Sequence, residues 1–302
     1  MASILVIGSS NTDMVVRVPE LPLPGQTMMG NEFRTFAGGK GANQAVAAQR
    51  AGASVCFLAA IGNDDFGRTA LATYESEGID TSLIQVIDDS PSGVAMICVS
   101  EAGQNSISVA PGANGKLTAD IIRQSESAIA RAGILLLQLE IPVDAVVAAI
   151  DIASRHGTRC VLNPAPARPI PDEVLAQLYC ITPNETEAEI LTGIAVSDVQ
   201  SATLAARQLL QCGVENVVIT LGSNGALLCN SDGVHHQEAP SVTVVDSTAA
   251  GDTFNGVLVT LLAEGRSPKE AMQLAVTAAS LAVQKSGAIA SIPRRQEFMA
   301  TV

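Results

Sequence analysis

The chain has 302 residues, 17 of them basic and 30 acidic, for a formal net charge of −13. Nucleic acids and anionic membrane surfaces reward clustered Lys and Arg, so this balance argues against both as partners. With 47% hydrophobic residues and no Trp, the chain can fill a large core of Ala, Val, Leu and Ile, which excludes a disordered polypeptide.

The first predicted strand covers residues 4–8. Met1 to Ile4 lead into it without a basic stretch, so no secretory signal is expected. No apolar run approaches the roughly 18 residues that cross a bilayer. Residues 11–36 hold short strand-like pieces and turn residues but no helix. A helix is predicted over 42–52, a strand over 54–61 and a helix over 64–77. The helix-free pattern returns over 81–110, where Ser92 to Val99 and Ser106 to Val109 flank a turn and read as a hairpin. Helices over 117–131, 142–156, 185–192 and 198–212 then alternate with strands over 134–139, 159–162, 179–183, 216–221 and 225–230. A helix over 250–264 stops at Gly265, and another opens at Ser267-Pro268.

These strands are apolar without alternation, which means burial on both faces. Strand–helix alternation then predicts an α/β fold with a largely parallel central sheet and helices on both faces. We read residues 1–302 as a single domain, with a small β-sheet from about 11–36 and 81–110 projecting from it as a lid, a dimer contact or both. Six scattered cysteines form no C-x-x-C pair, and none has ligand spacing to His156, His235 or His236. Reduced thiols in a cytoplasmic protein are expected rather than zinc.

Five segments contain residue types that carry chemistry. In Asp246-Ser247-Thr248-Ala249-Ala250-Gly251-Asp252, small residues end a strand and open a helix, leaving room for an anion at free N–H groups. Asp252 in that first turn either complements the helix dipole or serves as a base beside a phosphate-sized space. Gly38-Gly39-Lys40-Gly41-Ala42-Asn43-Gln44 is a glycine-rich loop opening a helix. It matches neither the Walker A nor the dinucleotide pattern. Asn11 and Asp13 follow the first strand, where they suit either an Asx turn or a vicinal diol. Glu140 ends the 134–139 strand in the same topological place. Asn184 and Glu187, three apart, suit a helix cap or a hydrated Mg²⁺. Thr220, Leu221, Gly222, Ser223, Asn224 and Gly225 form a turn between strands whose amides could touch a nucleotide.

Taken in order over nearly the whole chain, these segments resemble the PfkB-type family of sugar kinases, with Asn163-Pro164-Ala165-Pro166-Ala167 as further support. The resemblance implies ATP-dependent phosphorylation of the O5 hydroxyl of D-ribose, with Asp252 as general base and the N–H groups of Ala249, Ala250 and Gly251 as the anion hole. It assigns Asn11, Asp13, Gly39, Lys40, Gly41, Asn43 and Glu140 to the sugar. Asn184, Glu187, Gly251 and residues Thr220 to Gly225 fall to ATP and Mg²⁺. It further implies a K⁺ held by Asp246, Thr248, Ala282, Lys285, Gly287 and Ser291, and a homodimer formed through the lid sheets. Other acceptors in such kinases include 2-deoxyribose, ketohexoses and nucleosides, and a non-catalytic sugar-binding relative is a separate alternative.

Overall fold

Alternate residues of the first strand enter two different cores: Ile4 and Val6 join one cluster of buried side chains, Leu5 and Ile7 the other. A computed structural model describes residues 3–300. Its strands are β1 (Ser3–Ile7), β2 (Asn11–Val18), β3 (Glu32–Gly38), β4 (Ser54–Leu58), β5 (Ala60–Gly62), β6 (Gln85–Ile87), β7 (Gly93–Ser100), β8 (Asn105–Ala110), β9 (Ile134–Leu137), β10 (Arg159–Leu162), β11 (Cys180–Ile181), β12 (Asn216–Thr220), β13 (Ala226–Asn230) and β14 (Gly233–Gln237). Its helices are α1 (Lys40–Arg50), α2 (Asp65–Ser76), α3 (Ala119–Gln124), α4 (Glu126–Arg131), α5 (Val143–His156), α6 (Asp172–Leu175), α7 (Glu185–Thr192), α8 (Val199–Gln211), α9 (Ala250–Ala263), α10 (Pro268–Ala282) and α11 (Arg295–Met299).

The main sheet runs β14-β13-β12-β11-β10-β9-β1-β4. From β4 to β12 all neighbours are parallel, and β13 and β14 add an antiparallel edge. Side chains of α1, α2, α9 and α10 cover one face, and those of α3 to α8 cover the other. Burial on both faces is why the strands read as unbroken apolar runs. Ligands of such sheets gather at the carboxyl ends of the strands, and the chain leaves β1 there into Gly8, Ser9 and Ser10.

The projecting sheet is four-stranded, in the order β3-β2-β7-β8. Its second half is smaller than the sequence suggests. Residues 81–92 lie outside it, because Gln85–Ile87 pairs in parallel with Ala60–Gly62 as a separate two-stranded sheet. The same pairing splits the strand expected over 54–61 into β4 and β5. The helix expected over 117–131 breaks at Ser125, which ends α3 and caps α4. Helix α1 begins at Lys40, two residues before its predicted start, with Gly39 as N-cap at φ 89°.

Candidate active site

Helices α1 and α9 lie side by side and run in the same direction. Asn43 and Gln44 bond to Asp252, and one turn on a Cβ placed on Gly256 would sit 2.4 Å from Ala47 Cβ. Another turn on, the Thr260 hydroxyl donates to Ala48 O. Small residues along this seam bring two helix N-termini to one point, so their dipoles add at the same place, although the first amides of α1 are already given to Glu140, Ser9 and Gly39.

Asp252 sits at that point, 7% exposed. Its Oδ2 accepts from Asn43 Nδ2 at 2.9 Å and its Oδ1 from Gln44 Nε2 at 2.9 Å. It therefore does more than complement its own helix dipole: two amides of a neighbouring helix fix its carboxylate. The residue before α9, Ala249, has φ 60°, and no side chain caps the helix. A non-glycine residue there is uncommon and costs of order 1–3 kcal/mol, a conformation that functional loops retain. Of the three amides expected to hold an anion, that of Ala250 already donates to Ser247 O at 3.2 Å.

A cavity of about 630 Å³ lies between this point and the projecting sheet. It is lined by Asn11, Asp13, Gly39, Lys40, Asn43, Glu140, Ala249 and Asp252. The expected sugar residues thus come together around the expected base. Gly41 is the exception. It is buried, and a Cβ there would lie 2.5 Å from Ser9 N. Its place is to let α1 start against the β1 loop, not to line the cavity.

The cavity floor is tightly bonded. Glu140 Oε2 accepts from the Ser9 hydroxyl at 2.5 Å and from Lys40 N at 3.0 Å. Asn11 Oδ1 accepts from Asn114 Nδ2, which also donates to Ser10 O, while Asn114 Oδ1 accepts from Ser10 N. Asn43 Oδ1 is buried without a protein partner. An unpaired buried acceptor costs roughly 1–3 kcal/mol, and a hydroxyl of a bound molecule would satisfy it.

Four carboxylates surround one amine. Burial opposes the charge on Lys40, but Asp252, Glu140, Glu187 and Asp13 outweigh it and hold its pKa above the usual value. Burial, then Glu140 and Asp252, push Asp13 up to about 7 against the pull of Lys40. Burial also raises Glu187, opposed by its bond from Asn184 N and by Lys40.

Asn184 and Glu187 form a reciprocal capping box at the start of α7. They do not line the cavity, although Glu187 is close enough to act on Lys40 and Asp252. Thr220 bridges to Asn184 in parallel register, and its N–H donates to Pro183 O at 3.0 Å. The turn from Leu221 to Gly225 follows directly, so the expected nucleotide residues form one neighbouring strip. Asp246 ties the two cation segments together: Oδ1 accepts from Thr248 N and Oγ1, and Oδ2 from Gly287 N. The Lys285 ammonium is paired with Glu297 at 2.8 Å, leaving only its main chain for a cation. Ala282 and Ser291 are buried beside this strap.

Sequence reasoning gave no role to Gln44 or Asn114. Gln44 belongs to the glycine-rich motif, but only the fold reveals that it faces Asp252, 208 residues away.

This fold and site are those of a sugar kinase. The description "pfkB family carbohydrate kinase" matches residues 1–295, and the chain belongs to that family. It is 46% identical over 297 residues to a ribokinase of Haemophilus influenzae, covering 98% of this chain and 97% of that protein. The structure of a ribokinase from Thermotoga maritima matches with a TM-score of 0.91 at 37% identity, covering 99% of each chain. A ribokinase of Arabidopsis thaliana complexed with ribose and ATP matches with a TM-score of 0.89 at 32% identity, covering 99% of this chain and 98% of that one.

Proposed function

We propose that this protein is an ATP-dependent kinase that phosphorylates the O5 hydroxyl of D-ribose. One observation carries the reading: a carboxylate held by two amides stands where two parallel helix N-termini meet, on the floor of a cavity lined by polar groups of sugar-binding type. Asn11, Asp13 and Glu140 receive ring hydroxyls, and Asn43 Oδ1 supplies a free acceptor. The 5-hydroxyl then lies against Asp252, which takes its proton as the O5–phosphorus bond forms and the bond from phosphorus to the bridging oxygen of ADP breaks. Amides at the start of α9 stabilise charge on the moving phosphoryl group, and preorganised donors of this kind contribute more to such chemistry than any other single effect. The products are ribose 5-phosphate, ADP and a proton released from Asp252.

Asn184, Glu187 and the Thr220 to Gly225 turn are the nucleotide side of this reading. Glu187 suits a hydrated Mg²⁺, which neutralises phosphate charge when bound; its Oε2 is already given to the α7 cap. An oxygen-rich set at Asp246, Thr248, Ala282, Lys285, Gly287 and Ser291 suits a K⁺, acting mainly through main-chain carbonyls. Asp246 fits the role: burial opposes its charge, yet bonds from Thr248 and Gly287 keep its carboxyl below the usual range. Such an ion would help fix the 246–251 loop.

The lid sheet exposes Phe33 and Met96, and Ile107 and Val109 on the face toward the cavity. We read it as both cover and homodimer contact, with closure excluding water from the transfer. Sedimentation at micromolar concentration checks this: a monomer would rule out the dimer contact. Six unpaired thiols suit a cytoplasmic enzyme.

The deciding assay is a kinase panel with ATP and ribose, 2-deoxyribose, fructose and adenosine, run in K⁺ and in Na⁺. Ribose is expected to give the highest kcat/KM, with Na⁺ depressing it. A better acceptor would move the assignment to that substrate. Asp252→Asn is expected to lower kcat by about 10²–10⁴-fold with ribose KM nearly unchanged, and full turnover would end the base assignment.

A further inference from the structure

A line of buried amides runs behind Asp252, on the side away from the cavity. Gln44 is 0% exposed and does not line the cavity, whereas its neighbour Asn43 does. Gln44 Nε2 donates to Asp252 Oδ1 at 2.9 Å and to Asn163 Oδ1 at 3.0 Å, while Gln44 Oε1 accepts from Gln138 Nε2 at 2.6 Å. Asn163 Nδ2 donates to the main-chain carbonyl of Thr182 at 3.0 Å. The Thr182 hydroxyl donates to Asn255 Oδ1 at 2.6 Å, and Asn255 Nδ2 donates to Gly251 O at 2.8 Å. The line therefore closes on itself through the peptide that joins Gly251 to Asp252.

Side-chain amides can turn end for end, but a main-chain carbonyl cannot. The Thr182 carbonyl accepts only, so Asn163 must present its nitrogen there and its oxygen to Gln44. That oxygen in turn demands the Gln44 nitrogen, which leaves N–H facing Asp252 Oδ1. A reversed Gln44 would set its oxygen against two acceptors, Asp252 Oδ1 and Asn163 Oδ1, a cost the buried site cannot pass to water. The direction of the amide at the base is thus dictated by the backbone at the end of β11, with no help from Asp252.

We infer that Gln44, oriented through Asn163 by the Thr182 carbonyl, is a positioning residue that locks the Asp252 carboxylate with Oδ2 turned to the sugar hydroxyl. The inference rests on the reading of Asp252 as base. It also gives a place to the Asn163 segment, which the sugar and nucleotide contacts leave unused. Gln44 touches neither substrate. Without its N–H, the carboxylate is held only by Asn43, and it can rotate about its last bond away from the attack geometry. Misplacement of a reacting group by about an ångström costs on the order of 100-fold in rate.

The test compares Gln44→Met, Gln44→Glu and Asn163→Leu with the parent and with Asp252→Asn, using ATP and ribose. Gln44→Met is expected to lower kcat about 100-fold while ribose KM shifts less than about threefold, because no sugar contact is lost. Asn163→Leu, remote from substrate, is expected to lower kcat about tenfold through a released Gln44 amide, again with KM held. Gln44→Glu keeps the shape but sets an acid beside Asp252, in a site already facing Asp13, Lys40, Glu140 and Glu187. It is expected to lose turnover as Gln44→Met does and to move the acid limb of the kcat profile. If one variant does not fold by thermal melting, the others decide. Parent-like kcat in folded Gln44→Met or Asn163→Leu, with Asp252→Asn inactive, overturns the positioning role alone. Parent-like kcat in Asp252→Asn overturns the base reading itself.

Discussion

Gly251 is exposed, and a Cβ built on it meets no protein atom within 4 Å. The fold does not require glycine there; on the proposed reading, the space is left for the phosphoryl group at the start of α9. At Gly39 the opposite holds: its φ is 89° and a Cβ would lie 2.8 Å from Asn11 N, so the chain itself demands glycine. Gly251→Ala is therefore expected to melt at or slightly above the parent temperature, since alanine favours a helix by up to about 1 kcal/mol. Its kcat/KM is expected to fall at least about tenfold, because the methyl takes space meant for the phosphoryl group. Unchanged kinetics would show that the phosphate lies elsewhere. At this scale the sequence is informative where residues adjoin: Asn11 and Asp13, the 246–252 run and the glycine-rich loop each announce themselves. It is silent on pairs such as Asn11 with Asn114, which share a bond only because the start of β2 and the turn after β8 meet.

Among elements, the pairing of α1 with α9 positions the site. Gly256 permits it: besides Ala47 Cβ, an added Cβ would press on Ala48 N and Gln44 O, each at 2.7 Å. Backbone cannot step aside as a side-chain tip can. Gly256→Ala is expected to cost about 1–3 kcal/mol in chemical denaturation and to lower kcat by lengthening the bonds from Asn43 and Gln44 to Asp252. A parent-like stability would mean the seam has slack. The unbroken apolar runs make β1, β9, β10 and β12 readable, since burial on both faces leaves no alternation to misjudge. The split of β4 from β5 has no such mark, because Leu58-Ala59-Ala60 stays apolar through the turn from one sheet to the other. Strand β14 escapes notice for another reason: its burial alternates, but the half-buried positions are Gly233, His235 and Gln237, so no apolar period marks it.

Over the whole molecule, an excess of 13 negative charges coexists with a cavity that adds Asp13, Glu140 and Asp252 around Lys40. Asp13 has a folded pKa of about 7 against an ordinary 3.8. The folded protein thus holds a proton that the unfolded chain releases earlier. The stability this gives is fully present below about pH 4 and is lost as pH rises through about 7. Carboxylates with depressed values, Glu77 and Asp246 among them, act in the reverse sense and lose their contribution as pH falls. The difference between Asp13→Asn and the parent isolates the first effect. By scanning calorimetry without ligand, the melting temperature of the variant relative to the parent is expected to climb from pH 4 to pH 7 and then level off. A flat difference would show Asp13 already ionised in the folded state.

Strand β2 begins at Asn11 and carries Asp13 as its third residue, yet it is also an inner strand of the projecting sheet. The proposed grip and the proposed roof consequently share one strand. On the proposed reading, swinging the roof outward would pull both side chains off the pentose in the same stroke, so product departure would need no separate latch, and an arriving sugar that fails to engage them would gain nothing by drawing the roof down.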